Sequence, residues 1–340
     1  MKRSTFSSVS SLAIIFAASN ASARDTVSVV SQTGLGQFAE LIQSRAFDSE
    51  ISLTQSGEAN EGRIAQVGDD NRAVVAQSAI ASGATAIVGQ LGDGIGIGLA
   101  NDVSIGQSGR SAAVVLQTGA GNLTGVVQRG DDATAAIFQN NDAGAAIGVN
   151  AAAVAQDADG AFIVLRQDGA GASASINQSI TATGADAIVT QIGVSDSVTI
   201  NRDKDTALVC QNFQIPSNGN GNYGGNDSTV SQGAGANSAS VNQDGLDGTS
   251  FVTQSNGGNA TVDQNGNNQT STIDQSDSAT ADVVQSGDNN GSLVRQDGAS
   301  TAAVDQDGNR NNSDLFQFVD GATAEVDQRG NDNRSKIEQS

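Results

Sequence analysis

Glutamine recurs along this chain with a spacing that few folds can accommodate. From Gln32 to Gln339 it occupies 26 positions, and 18 of the 25 gaps between them are 10 or 11 residues. Only Gln37, Gln214 and Gln269 stand outside the series. The residue two before every one of the 26 is Val, Ile or Leu, and the residue four before is usually small, as in Ala73, Ala113, Ser228 and Ala324. A step of two is the period of a strand face. Asn71, Ala73, Val75 and Gln77 therefore share one face and Arg72, Val74 and Ala76 the other. A helix would scatter the same residues around its circumference.

Four-residue connections separate the strands, often around a glycine: "VGDD" after Gln66, "TGAG" after Gln117, "SGDN" after Gln285. Glycine reaches backbone angles closed to other residues, which suits sharp turns. A strand of about seven residues plus a turn of about four makes half a coil, and two halves make one strand–turn–strand–turn circuit. The expected fold is all-β: a β-solenoid of about 13 stacked coils with amyloid-like parallel pairing. Stacking brings equivalent side chains into line at about 4.8 Å. An amide carries both donors and acceptors, so stacked amides can bond to one another. A buried Gln without such a partner costs roughly 1–3 kcal/mol. The expected ladder residues are Gln55, Asn60, Gln66, Asn71, Gln77, Gln117, Asn122, Gln128, Gln296, Gln306, Asn311, Gln317, Gln328, Asn333 and Gln339.

The breaks in the rhythm suggest the organisation. Gaps of 17 precede Gln107 and Gln156, yet Asn101 and Asn150 still stand where the next strands begin. "LGDGIGIGLA" and "NNDAGAAIGV" read as loops inserted at turns. The gap of 20 before Gln211 hides one row, Asp196, Val198, Ile200 and Arg202, with Arg202 where Gln is expected. The gap before Gln232 holds the only Pro and the only Tyr. We expect a repeat block over 49–211, a surface loop over 212–225 and a more regular block over 226–340.

The first residues have another pattern: Lys2 and Arg3, the apolar stretch Leu12 to Ala18, then Ala21-Ser22-Ala23. This is the layout of a secretory signal peptide, 1–23, with cleavage expected after Ala23. Residues 24–48 would hold a leader and the first irregular rows. No segment is long enough to span a bilayer as a helix, so no stable membrane insertion is expected. The formal net charge of −21 speaks against nucleic-acid binding, which calls for a basic surface. With one Cys and no His, an internal disulfide, His/Cys zinc sites and His-dependent triads are excluded. No cofactor or metal is expected.

The motif Ser-x5-Gln-x-Gly-x2-Asn-x5-Gln is complete at Ser49/Gln55/Gly57/Asn60/Gln66, at Ser111/Gln117/Gly119/Asn122/Gln128 and at Ser300/Gln306/Gly308/Asn311/Gln317. It resembles the curlin repeat of bacterial curli subunits, and degenerate copies fill nearly all of the chain between Val27 and Ser340. "VVSQTG", Val29 to Gly34, is similar to the start of that family's export-targeting segment. The resemblance implies a secreted functional amyloid subunit that crosses the outer membrane unfolded through a curli secretion pore. It implies seeding by a nucleator subunit and homopolymeric cell-surface fibres serving biofilm matrix and adhesion. The array here is longer than the familiar pattern of about five repeats, which leaves a nucleator or a non-polymerising surface adhesin as alternatives.

Readings from other classes also have signatures. A polysaccharide-active β-helix enzyme needs paired carboxylates. Asp69/Asp70, Asp131/Asp132 and Asp203/Asp205 are such pairs, but all fall at turns or strand starts, and aromatic sugar platforms are lacking. We therefore expect no enzyme. A calcium β-roll would use acidic turns such as "GDDN", but the nonapeptide GGxGxDxUx is absent. An ice-binding solenoid needs flat outward Thr rows, whereas the outward positions here mix Arg72, Val74, Asp274, Arg295 and Phe316.

Overall fold

The computed structural model describes residues 26–44, 48–78, 83–92, 100–141, 148–179, 185–194, 196–202, 206–212, 225–233 and 235–340, together with the strands Ser4–Ser7 and Ala13–Ala17. Among them there is no helix, and hence none long and apolar enough to cross a membrane. The expected 212–225 loop and most of both inserted loops lie outside the described residues, as do Asp203 and Asp205.

The chain divides into two compact units, Met1–Ala172 with Gln178–Thr183, and Ser173–Asn177 with Gly184–Ser340. Each is a β-solenoid of two parallel sheets. In the first unit one sheet carries Val27–Leu35, Glu50–Glu58, Asn71–Gln77, Asn101–Gln107, Asn122–Gln128 and Asn150–Gln156. The facing sheet carries Phe38–Ser44, Glu61–Val67, Thr85–Leu91, Ala112–Gly119, Thr134–Asn141 and Phe162–Ala170. In the second unit one sheet runs from Ser197–Arg202 to Arg334–Gln339, the other from Asp186–Val194 to Thr323–Arg329. Successive strands alternate between sheets, so each neighbour within a sheet lies one full coil away.

Register follows the glutamines. Gln55 pairs with Gln77 and Gln77 with Gln107, although the second pair is separated by 30 residues. In the second unit Gln285 pairs with Gln306 and Gln306 with Gln328. A slip of one residue would turn every aliphatic outward, so the buried face holds this register.

Burial alternates along the strands. Ala73, Val75 and Gln77 are buried while Arg72 is exposed, and Ala302, Val304 and Gln306 are buried while Asp305 is exposed. The core consists almost entirely of Ala, Val, Ile and Leu with rows of Gln, Asn and Ser; Phe138, Phe162 and Phe251 are exposed. Small residues such as Ala73 and Ala302 are buried between the Asn or Ser row and the aliphatic row. The Val/Ile/Leu row fills the middle, each side chain contributing about 1.5–3 kcal/mol on full burial.

In the second unit, one set of turns has two left-handed positions each. Gly266, Gly287, Gly308 and Gly330 stand two residues after a Gln with φ of 136°, 100°, 127° and 99°. A Cβ on Gly287 would lie 2.2 Å from the Gly308 carbonyl oxygen, so the stacked turns exclude any side chain there. Two residues further on, Asn268, Asn289, Arg310 and Asp332 are also left-handed. Asn and Asp tolerate that region. Arg310 gains a compensating contact, its Nε donating to Asp332 Oδ1 one coil on at 2.6 Å.

Candidate functional site: the amide ladders

From Val27 onward every described strand except Ser197–Arg202 delivers a Gln side chain to the same end of the inward face, and parallel in-register pairing stacks these side chains. Gln32 Nε2 donates to Gln55 Oε1, Gln55 to Gln77, Gln77 to Gln107, Gln107 to Gln128 and Gln128 to Gln156, at 2.6 to 2.9 Å. On the facing sheet Gln43 donates to Gln66, then Gln66 to Gln90, Gln90 to Gln117, Gln117 to Gln139 and Gln139 to Gln167. In the second unit the series Gln254, Gln275, Gln296, Gln317, Gln339 and the series Gln264, Gln285, Gln306, Gln328 repeat the arrangement. In these series the amide N–H points to the later coil each time.

The second N–H of the same amide does a separate task. Gln55 Nε2 donates to the Phe38 carbonyl, Gln66 to Glu50, Gln77 to Glu61, Gln296 to Thr280 and Gln306 to Gly291. In each case the acceptor is the first residue of the strand on the facing sheet. Each of these five Gln residues is thus a rung of a ladder and a strut between sheets. Both donors are used, so truncation leaves several groups unpaired.

The asparagines behave differently. Instead of forming a continuous amide ladder, most of them clamp turns. Asn60 Nδ2 donates to the Ser56 carbonyl, Asn71 to Val67 and Gly68, Asn122 to Thr118, Asn311 to Gly330 and Asn333 to Arg329. Their Oδ1 accepts a backbone N–H from the next coil: Ala84 on Asn60, Asn122 on Asn101, Asn333 on Asn311. Direct Asn–Asn bonds occur in the first unit, Asn101 to Asn71, Asn122 to Asn101 and Asn150 to Asn122, at 3.0 to 3.2 Å.

Two glutamines outside the series take clamp positions. Gln37 and Gln269 are buried and donate to the carbonyls of Thr33 and Asn265, four residues earlier, as Asn60 does. Their signal was present: each stands five residues after a ladder Gln, the same offset as Asn60 from Gln55. Asp196 also occupies a clamp position. It is 1% exposed, its Oδ1 accepts the Asn226 N–H, and its Oδ2 has no partner. Burial pushes its carboxyl up to about 6, the Asn226 hydrogen bond opposing. Arg202 pairs with Gln232 in the backbone register; its side chain lies outside the described residues.

The outward faces carry exposed ion pairs, among them Arg110–Asp132, Arg129–Asp157 and Arg310–Asp332. The Arg110 guanidinium holds the Asp132 carboxyl below the usual range. Among the described residues no group of three or more Cys, Asp or Glu could hold a metal ion. Asp70 and Asp132 are left-handed turn residues. Cys210 is a free, half-buried thiol, its pKa raised by burial.

Parallel coils, Gln ladders and Asn clamps define a β-solenoid repeat protein. The curlin associated repeat model matches residues 46–78 and 57–92, so this segment is similar to that repeat. A search of the curated proteins gives no match.

Proposed function

We propose that the exported chain is a structural subunit that self-assembles into curli-type amyloid fibres at the cell surface, serving biofilm matrix and adhesion. One observation carries this reading. The parallel, in-register hydrogen bonding of an amyloid is already complete within each unit, with one Gln ladder per sheet. Self-addition would extend a lattice the chain has built internally. In this reading residues 1–23 are removed on export. A nucleator subunit and an outer-membrane secretion pore are the partners, and the chain is not an enzyme. Protein recovered after export should form dye-binding, β-rich fibres without a cofactor and give a meridional reflection near 4.8 Å. A chain that stays monomeric for days, with or without seeds, overturns the reading.

A non-polymerising β-solenoid adhesin is the second reading. The last strand, Arg334–Gln339, carries Arg334, Lys336 and Glu338 outward, the kind of charge that protects an edge from pairing.

A further inference from the structure

One member of the clamp row carries the wrong chemistry for its place. At these positions an Asn amide performs two tasks. Its Oδ1 accepts a backbone N–H from the next coil, and its Nδ2 donates to a turn carbonyl. Asn101 accepts from Asn122 and donates to Gly119. Asn150 accepts from Ala172 and donates to Gly169. Asn226 accepts from Gly248 and donates to Gly245. Asn290 accepts from Asn311 and donates to Ser286 and Gly308. The nitrogen side of the position thus faces carbonyl oxygens, which accept and never donate.

Asp196 stands in this row. Its Oδ1 performs the first task, accepting the Asn226 N–H at 3.1 Å. Its Oδ2 therefore stands where the other clamps carry Nδ2. An ionised carboxyl has no hydrogen to give. Oδ2 is buried and has no hydrogen-bond partner. The facing Gln amides that reach this coil are already committed. Gln191 donates to the Ser173 carbonyl and Gln211 Oε1, and Gln211 to the Ser197 carbonyl, Ser228 Oγ and Gln243 Oε1. The Asn226 amide is turned to Gly245, one coil on. Burial and the Asn226 hydrogen bond govern the carboxyl, and among the described residues no cation offsets its charge.

We propose that Asp196 anchors a buried site for a monovalent metal cation, sodium, held between Oδ2 and turn carbonyls in the place that Nδ2 takes at the other clamps. The carbonyl oxygens lie 2.7 to 3.3 Å from that nitrogen in the coils named above. Two oxygens at such a separation repel unless a proton or a metal ion lies between them, and oxygen donors are what hard cations take. The carbonyl four residues before Asp196, the counterpart of Ser286 for Asn290, is that of Ile192. Charge sets the valence. One carboxylate with neutral carbonyls sums to −1, so a monovalent ion leaves the dry site neutral, whereas a divalent ion leaves a buried net charge. The short oxygen–oxygen edge suits sodium better than the larger potassium. Ser197–Arg202, which follows Asp196, is also the strand without a Gln rung, so the ion supplies a tie that this coil lacks. The site belongs to the folded coil and needs no assembly.

The test is hydrogen exchange, read by mass spectrometry on the full exported chain at pH 7.5. Sodium chloride is compared with tetramethylammonium chloride, whose cation is too large for the site, both at about 150 mM. The Asn226 N–H reports directly, since Asp196 accepts it. Its exchange should be about fivefold slower in sodium, while amides several coils away, such as that of Thr301, should change less than twofold. Asp196→Asn restores the amide of the other clamps, and Asp196→Ala copies Ala84, which occupies the same position and offers its N–H to Asn60. In both variants the two salts should give equal rates. Equal rates in the parent chain would leave Oδ2 only a proton and overturn the site. A sodium effect that persists in both variants, or is as large at Thr301, overturns it too. A greater slowing by potassium, or by millimolar calcium, overturns the choice of ion.

Discussion

Asn101 in the first unit and Asn311 in the second hold the same clamp position, yet they are bonded differently. Asn101 follows an inserted segment. Its Nδ2 donates to Asn71 Oδ1 and the Gly119 carbonyl, while its Oδ1 accepts both the backbone N–H and the Nδ2 of Asn122. Asn311 follows a four-residue turn and makes only a bond to the Gly330 carbonyl and one from the Asn333 N–H. Asn150, after the other insertion, donates to Asn122 as Asn101 does to Asn71. After a short turn the amide donates to a turn carbonyl, Asn122 to Thr118 of its own turn and Asn311 to Gly330 one coil on. After an insertion the amide adds a bond to the Asn of the preceding coil, a bond that Asn122 also makes to Asn101. The Gln ladder crosses both insertions in register.

The largest expected effect would come from breaking the ladder in the regular second unit rather than beside an insertion in the first. Gln306→Ala with Gln317→Ala should lengthen the assembly lag about tenfold; Gln139→Ala with Gln156→Ala should lengthen it less than threefold. Each change leaves buried amide partners unpaired, at a cost of roughly 1–3 kcal/mol, so both pairs should lose similar stability in urea. Equal lags would show that the regular unit has no special part in assembly.

Asp196 sharpens the comparison through pH. It stands where Asn226 stands one coil later in the same sheet, but as an acid. Its folded pKa, about 6, lies above the unfolded value near 3.8, so the folded state holds the proton more tightly. Its favourable contribution is complete below about 3.8 and is lost as pH rises through about 6. Asp196→Asn should therefore raise stability at pH 7.5 by up to about 3 kcal/mol and change little at pH 3.5, read as urea midpoints. A gain of the same size at both pH values would remove titration as the cause.

Much of this arrangement was legible in the sequence because two periods coincide. The step of two assigns Ala73, Val75 and Gln77 to one face, and the 10/11 spacing stacks equivalent residues. The strut function of Gln was not legible, since periodicity says which residues are equivalent but not where a second amide hydrogen goes. Gln37 and Gln269 stand outside the ladder, as the sequence indicated, but sorting by residue type hid the offset of five that marks them as clamps. Left-handed Arg310 could not be foreseen, because its stability depends on Asp332 one coil away.

A smaller effect separates the two clamp types. Asn101→Ala loses four hydrogen bonds and Asn311→Ala two. Local hydrogen-exchange protection should fall by about 2–3 kcal/mol around the first and by about 1–2 around the second. The reverse order would contradict the assignment of the insertion-adjacent amides.

The smallest effect concerns the outward acids. Asp305 and Asp327 are register neighbours, while Asp274 lies within 3.7 Å of Arg295 and Asp327 within 3.2 Å of Arg329. Asp305→Asn with Asp327→Asn should shorten the lag by less than twofold at neutral pH, with added salt giving a similar change in the parent chain. A longer lag would mean that these carboxylates favour docking.

The central claim is that a buried Gln amide such as that of Gln77, Gln128, Gln285 or Gln306 is both a rung and a strut. Side-chain amide exchange, followed by NMR on the folded chain with labelled Gln, tests it most directly. The account predicts that the Nε2 protons of residues such as Gln77, Gln128, Gln285 and Gln306 exchange as slowly as the backbone amides of their own strands. Exchange as fast as that of Gln in an unfolded peptide, with the strand backbone still protected, would contradict it.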